Sequence, residues 1–132
     1  MNGSVVLPSG GVVRGRRMAD IPDEPADFLL ALADGPLPSW PHRRIVWPDF
    51  WIPTDRADAV EALREALGRA RSAELVEVAC RGGRGRTGTA LAALAVLDGL
   101  PPADVVDWVR RNYHPKAVET PWQKAWVRGL RP

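Results

Sequence analysis

The sequence predicts an α/β fold: a central, mainly parallel twisted sheet of four or five strands flanked by helices. Three observations predict it. Two short apolar runs, Ile45 to Trp47 and Val76 to Ala79, are separated by a helical pattern, the arrangement of a parallel strand-helix-strand unit. A glycine-rich turn follows the second run. The stretch from Thr87 to Asp98 is apolar nearly all round, as a helix buried against a sheet must be.

Taken in order, Val5 to Leu7 and Gly11 to Val13 read as short strands joined by the turn Pro8-Ser9-Gly10. A brief helix is expected over about Pro25 to Ala33, with Phe28, Leu29 and Leu32 on one side. Proline and glycine make Asp34 to Pro41 a loop, which leads into the strand Ile45 to Trp47. Thr54 is placed to cap a helix over about Asp55 to Arg71, whose Val60, Leu63 and Leu67 form one stripe. That helix carries the chain across to the strand Val76 to Ala79. Gly99 and Pro101 end the buried helix that follows. Two more helices, about Pro102 to Arg111 and Pro121 to Arg128, turn Val105, Trp108 and Val109, then Trp122 and Trp126, toward the core. With 132 residues, 45% apolar and 26% charged, residues 1–132 are expected to form a single domain.

The one cysteine, Cys80, stands where the second strand gives way to Arg81, Gly82, Gly83, Arg84, Gly85 and Arg86. A strand ending in such a turn aims several backbone N–H groups at one point, and the following helix adds its positive end, so an oxyanion fits there. Two other readings of the glycines are weaker. Gly83, Gly85 and Gly88 spell a dinucleotide fingerprint, but that fold needs a strand ending in an acid about 20 positions on, and here Asp104 and Asp107 fall in a helical pattern. An ATP-type loop with Arg86 and Thr87 in the Lys and Ser/Thr places requires glycine where Cys80 stands. An ordinary thiol is only a few per cent thiolate at neutral pH. A helix N-terminus contributes up to about 2 kcal/mol toward ionisation, and each charge-assisted hydrogen bond about 1.5–3. The loop is therefore expected to hold Cys80 as a nucleophilic thiolate.

Together Cys80, Gly83, Arg86, Thr87 and Gly88 resemble the signature loop of the cysteine-dependent protein tyrosine phosphatases, including the dual-specificity branch. Trp47, Pro48 and Asp49 look like the mobile loop that carries the general acid in similar enzymes. Glu119, Thr120, Pro121 and Gln123 are similar to the late segment whose glutamine positions water. The resemblance spans roughly Ile45 to Gln123. It implies a compact tyrosine-phosphatase-like fold and hydrolysis through a phosphocysteine. Cys80 would be the nucleophile, Arg86 the guanidinium fork on the phosphoryl oxygens, Asp49 the acid and then base, Thr87 the hydroxyl that helps sulfur leave, and Gln123 the water-positioning amide. Arg81, Gly82, Gly83, Arg84, Gly85 and Arg86 would bind the phosphate, and Trp51, just past the acid, is a candidate contact for an aromatic substrate. One departure stands out: Ala79 occupies the place where such enzymes usually carry histidine. Two duller readings stand beside these: Trp47-Pro48-Asp49 as a strand ending in a turn, and Gln123 as a solvated first-turn residue of a helix capped by Thr120 with Pro121 at its first position.

Phosphotyrosine in proteins or peptides is the expected substrate. A phosphoinositide phosphatase is the alternative, because such enzymes are similar in having basic residues at the positions of Arg81 and Arg84. A phosphoprotein-binding pseudophosphatase is another, prompted by Ala79, and a sulfurtransferase is the reading that needs no Asp49. No cofactor is expected, and His42 and His114 are too scattered for a metal cluster. The net charge of +2 excludes little, although the pI is near 9.2. Because the arginines are interspersed with acids, as in Glu61, Arg64, Glu65 and Arg69, no nucleic-acid partner is expected. The trio Arg14, Arg16 and Arg17 either adds to the field of the anion loop or is plain surface. No run suits a membrane span and no signal stretch opens the chain, so a cytoplasmic monomer with no membrane partner is expected. A reducing compartment also suits a lone reactive thiol.

Overall fold

The strand Val76–Cys80 organises the chain, and every one of its residues is buried. The computed structural model describes residues 3–132. Five strands form one sheet: β1 (Ser4–Val6), β2 (Val12–Arg17), β3 (Phe28–Ala31), β4 (His42–Arg44) and β5 (Val76–Cys80), in the order β1-β2-β5-β3-β4. Only β1 runs antiparallel to its neighbour, and the β2–β5, β5–β3 and β3–β4 pairs are all parallel. Four helices accompany them: α1 (Arg56–Arg71), α2 (Gly85–Leu97), α3 (Val105–Asn112) and α4 (Pro121–Arg128). All thirteen residues of α2 are buried. The expected α/β architecture is therefore present.

Local expectations fail where tertiary context decides. The helix expected over residues 25–33 is instead strand β3, paired with β5 from Phe28 opposite Val76 to Ala31 opposite Ala79. All four of its residues are buried, and a short run apolar on both faces carries no period to tell strand from helix. The strand before Asp49 is His42–Arg44 rather than Ile45–Trp47. Ile45 continues the pairing through its N–H to Ala31 O at 3.0 Å, after which the chain leaves the sheet edge. Ile45 and Trp47 are apolar because they plug the core beneath that exit, each 1% exposed. Asp55, not Thr54, caps α1, accepting from the Asp58 N–H at 3.0 Å. The helix expected from Pro102 opens as a single 3-10 turn, Pro102–Asp104.

Strand β2 is longer than the sequence suggests because its arginines neutralise a buried acid. Glu77, fully buried on β5, receives Arg14 Nη2 and Arg16 Nε at 2.8 Å each and Trp40 Nε1 at 2.9 Å. Arg14 and Arg16 are thus structural, neither plain surface nor part of a substrate field. Stripping a buried carboxylate of its partners costs about 3–5 kcal/mol, so this cluster fixes β2 against β5. Among the described residues, no helix is long and apolar enough to cross a membrane.

Helix α2 is seated on the segment before α4 through Gly88, where a methyl group would stand 2.4 Å from Ala117 Cβ. Gly68, on the exposed face of α1, has nothing within 4 Å of an added methyl. Gly88→Ala is therefore expected to destabilise by about 1–3 kcal/mol through overpacking, and Gly68→Ala to stabilise by about 0.5–1 kcal/mol. Urea unfolding of both variants checks this, and equal midpoints would contradict the packing described.

Candidate active site

At the carboxyl end of β5, Cys80 is 2% exposed, and two donors point at its sulfur. The Gly83 N–H lies 3.2 Å from Sγ and the Thr87 hydroxyl 3.0 Å. Both stabilise negative charge on sulfur, and Thr87 is able to do so because it sits, fully buried, in the first turn of α2. Gly83 adopts φ of +69°, the left-handed region, and a methyl there would come within 3.0 Å of the Arg16 and Arg17 backbone. Glycine suits this position because it meets the left-handed turn and the close backbone approach together. From the opposite side, the hydroxyl of Tyr113, at the end of α3, donates to Gly83 O. Burial, together with the charge on Cys80, pushes the Tyr113 phenol well above its ordinary range, so it stays a donor.

Arg86 is 6% exposed and reaches across two elements. Its Nη1 donates to Trp47 O at 2.8 Å and to Leu32 O at 3.3 Å. Its Nε makes no hydrogen bond, although Asp49 Oδ1 lies 3.3 Å away in ion-pair range. That geometry leaves one edge of the fork for a ligand. Asp49 itself is held by the Phe50 N–H, which donates to Oδ1 at 3.0 Å, with Phe50 in the left-handed region at φ of +59°.

The 47–51 loop is tied to α4. Trp51 O accepts from Trp47 Nε1 at 2.8 Å and Gln123 Nε2 at 2.9 Å, Phe50 O accepts from Trp122 Nε1 at 2.6 Å, and the Trp51 and Trp122 rings meet at 5.2 Å. Trp122 was expected in the core but is 43% exposed, because its indole N–H serves this loop; Trp126 is core, edge-on to Trp47 at 5.4 Å. Trp108 is half-buried against the core.

Of the residues singled out from sequence, Cys80, Arg86, Asp49 and Thr87 converge. Cys80, Asp49, Arg86, Gly82, Arg84 and Gly85 line one recess of about 100 Å³ together with Phe50 and Glu119. Arg81 faces a larger recess of about 290 Å³ that lies beside the sulfur rather than over it, sharing only Asp49 and Arg86 with the first. The smaller recess is the one that Cys80 lines. Trp51 sits on the rim, 48% exposed.

Gln123 is fully buried, not solvated, and its amide is committed. Its Oε1 accepts from the Glu119 and Thr120 N–H groups at 3.0 and 3.2 Å while Thr120 Oγ1 accepts from its own N–H, a reciprocal cap with Pro121 opening the helix. Sequence reasoning gave Glu119 no role of its own, yet it is the side chain of this segment that reaches the recess. A methyl at Gly85 would stand 1.8 Å from its Oε1. Tyr113 was likewise unforeseen; its being the chain's only tyrosine was the available signal. No group of three His, Cys, Asp or Glu is gathered for a metal among the described residues.

Sheet order and the strand-to-helix cradle define the class of the domain: a phosphatase domain of the protein tyrosine and dual-specificity type. Comparison with known proteins narrows this. Residues 45–132 match the family model described as "PTP-SAK: Swiss Army Knife protein, DSP-PTPase phosphatase domain", and the chain belongs to that family. An uncharacterized protein of Methanocaldococcus jannaschii is 37% identical over 81 residues, covering 60% of this chain, which spans about half (48%) of that relative. Among solved structures, Tk-PTP in its active form is 30% identical with a TM-score of 0.64, over 77% of this chain and 75% of that one. PTPMT1 in complex with PI(5)P shares the fold at TM-score 0.73 and 14% identity, over 96% and 92% of the two chains. The core catalytic domain of the PP-IP phosphatase SIW14 from S. cerevisiae shares it at 0.58 and 16%, over 80% and 67%.

Because Tyr113 holds the carbonyl of Gly83, the residue whose N–H points at sulfur, Tyr113→Phe is expected to loosen the loop and slow alkylation of Cys80 by iodoacetamide at neutral pH by roughly two- to fivefold, the worth of one neutral hydrogen bond. An unchanged alkylation rate would show that the hydroxyl does not order the loop.

Proposed function

We propose that this chain hydrolyses phosphomonoesters, phosphotyrosine in proteins foremost, through a phosphocysteine intermediate. One observation carries the reading: a buried sulfur with two donors on it faces an arginine whose free edge and an aspartate lie 3.3 Å apart. The phosphoryl oxygens would take the free edge of Arg86 and the amides of residues 81–86, displacing Asp49 from Arg86 toward the leaving oxygen. Sγ attacks phosphorus, the P–O bond breaks, and Asp49 gives its proton to the departing phenolate. Water then attacks the thiophosphate, Asp49 takes its proton, and the P–S bond breaks with the electron pair returning to a sulfur that the Thr87 hydroxyl and Gly83 N–H stabilise. Glu119 lines the recess in which that water must stand, and Gln123 positions the Glu119 segment from behind. Phe50, Trp51 and Trp122, each about half exposed, give the rim an aromatic wall suited to an aryl phosphate.

A second reading, phosphoinositide hydrolysis, is favoured by Arg81 and Arg84, both exposed and with no ion pair or hydrogen bond to either guanidinium among the described residues, and by the PI(5)P-bound relative. The aromatic rim weighs toward the aryl ester.

Hydrolysis of a chromogenic aryl phosphate tests the chemistry. Cys80→Ser is expected to abolish turnover, and Asp49→Asn to reduce kcat by about 10²–10⁴. Equal rates for wild type and Cys80→Ser would eliminate the nucleophile. A loss on Cys80→Ser with none on Asp49→Asn would point to sulfur-transfer chemistry, and tight phosphopeptide capture without turnover by wild type would mark a binding module.

A further inference from the structure

The recess of about 290 Å³ beside the sulfur takes no part in the chemistry above, yet it opens onto it through Asp49 and Arg86. Arg44, at the end of β4, forms one wall, and Arg81, the residue after Cys80, forms another. Arg81 has no ion pair or hydrogen bond among the described residues. Arg44 is engaged only at the surface: its Nη1 reaches Asp34 Oδ1 at 2.5 Å and its Nε the Ile45 carbonyl at 3.2 Å. Asp34 is almost wholly exposed, and the Arg44 hydrogen bond holds its carboxyl below the usual carboxylate range. An exposed pair of this kind is worth about 0–1 kcal/mol and exchanges readily for another anion. Asp34 therefore shows what the recess accepts, a carboxylate on Arg44.

Charge selects the ligand further. The guanidiniums of Arg44, Arg81 and Arg86 against the carboxylates of Asp34 and Asp49 leave a single positive charge, enough for a monoanion. A second phosphate, close to a dianion, would face both Asp34 and Asp49. Val46, Trp47 and Pro48 supply apolar floor for a methylene stem. We infer that this recess is a specificity subsite for an acidic side chain, Asp or Glu, flanking the phosphotyrosine of a peptide substrate, with Arg44 and Arg81 as its cations. The inference rests on the phosphotyrosine reading of the neighbouring recess.

The test uses phosphotyrosine peptides carrying Glu, Ala or Lys at each of the four nearest positions. Affinity for the Cys80→Ser protein, read by calorimetry, needs no turnover, so the subsite is tested even if the proposed chemistry fails; turnover of the chromogenic aryl phosphate by wild type reports on the chemistry separately. At one position, Glu is expected to bind roughly two- to fivefold tighter than Ala, with Lys weaker than both and the difference shrinking at high salt. Adding Arg44→Gln should erase that preference while leaving aryl phosphate turnover of the otherwise wild-type protein unchanged. Adding Asp34→Asn, which frees Arg44, should widen it. A flat series, or a preference that survives Arg44→Gln, overturns the proposal. So does tighter, Arg44-dependent binding of a soluble or vesicle-borne inositol bisphosphate than of any of the peptides, which would assign the recess to a phosphate.

Discussion

The arrangement of the site depends on one guanidinium. Arg86 rises from the first turn of a fully buried helix and is clamped by the carbonyls of Leu32 and Trp47. Those carbonyls belong to chain leaving the ends of β3 and β4, so a single side chain ties the α2 cradle to both neighbouring strand exits. Burying a cation this deeply is tolerable because two fixed carbonyls meet its Nη1 and a carboxylate lies in ion-pair range of its Nε. What is left over, one edge of the fork, faces the carboxylate of Asp49. Strand order therefore matters to chemistry: with β3 and β4 on the same side of β5, Leu32, Trp47 and Cys80 arrive at one end of the sheet.

The arginine-rich composition divides between two tasks. Arg14 and Arg16 are spent on Glu77 in the middle of the sheet, and Arg43 on Asp58, Glu61 and Glu65 along α1. Arg81 and Arg84 stay open beside the sulfur. A modest net charge of +2 thus coexists with a locally positive site, since pairing elsewhere removes most of the positive charge from view.

What could be read in the sequence was what neighbours along the chain determine. The passage from β5 through the glycines into α2 is local, so Cys80, Arg86 and Thr87 were legible as a unit, and the turn at Asp49 was legible from Pro48. Pro121 and the Thr120–Gln123 spacing gave α4 its bounds, but not that Gln123 would be buried behind the 47–51 loop. Strand β3 was hidden because four buried residues leave no polar face to set a period. Glu119, Trp122 and Tyr113 were opaque for a different reason: each acts on a partner thirty or more residues away, information that no window of sequence holds.

The sulfur at the centre of this site has no thiol companion anywhere in the chain. Should an oxidant convert it to the sulfenic acid, no resolving cysteine stands by to trap that species as an intramolecular disulfide. Protection from further, irreversible oxidation then falls to small thiols arriving through the recess, or to ring closure onto a backbone nitrogen. The protein's redox resilience is in that sense borrowed from its surroundings.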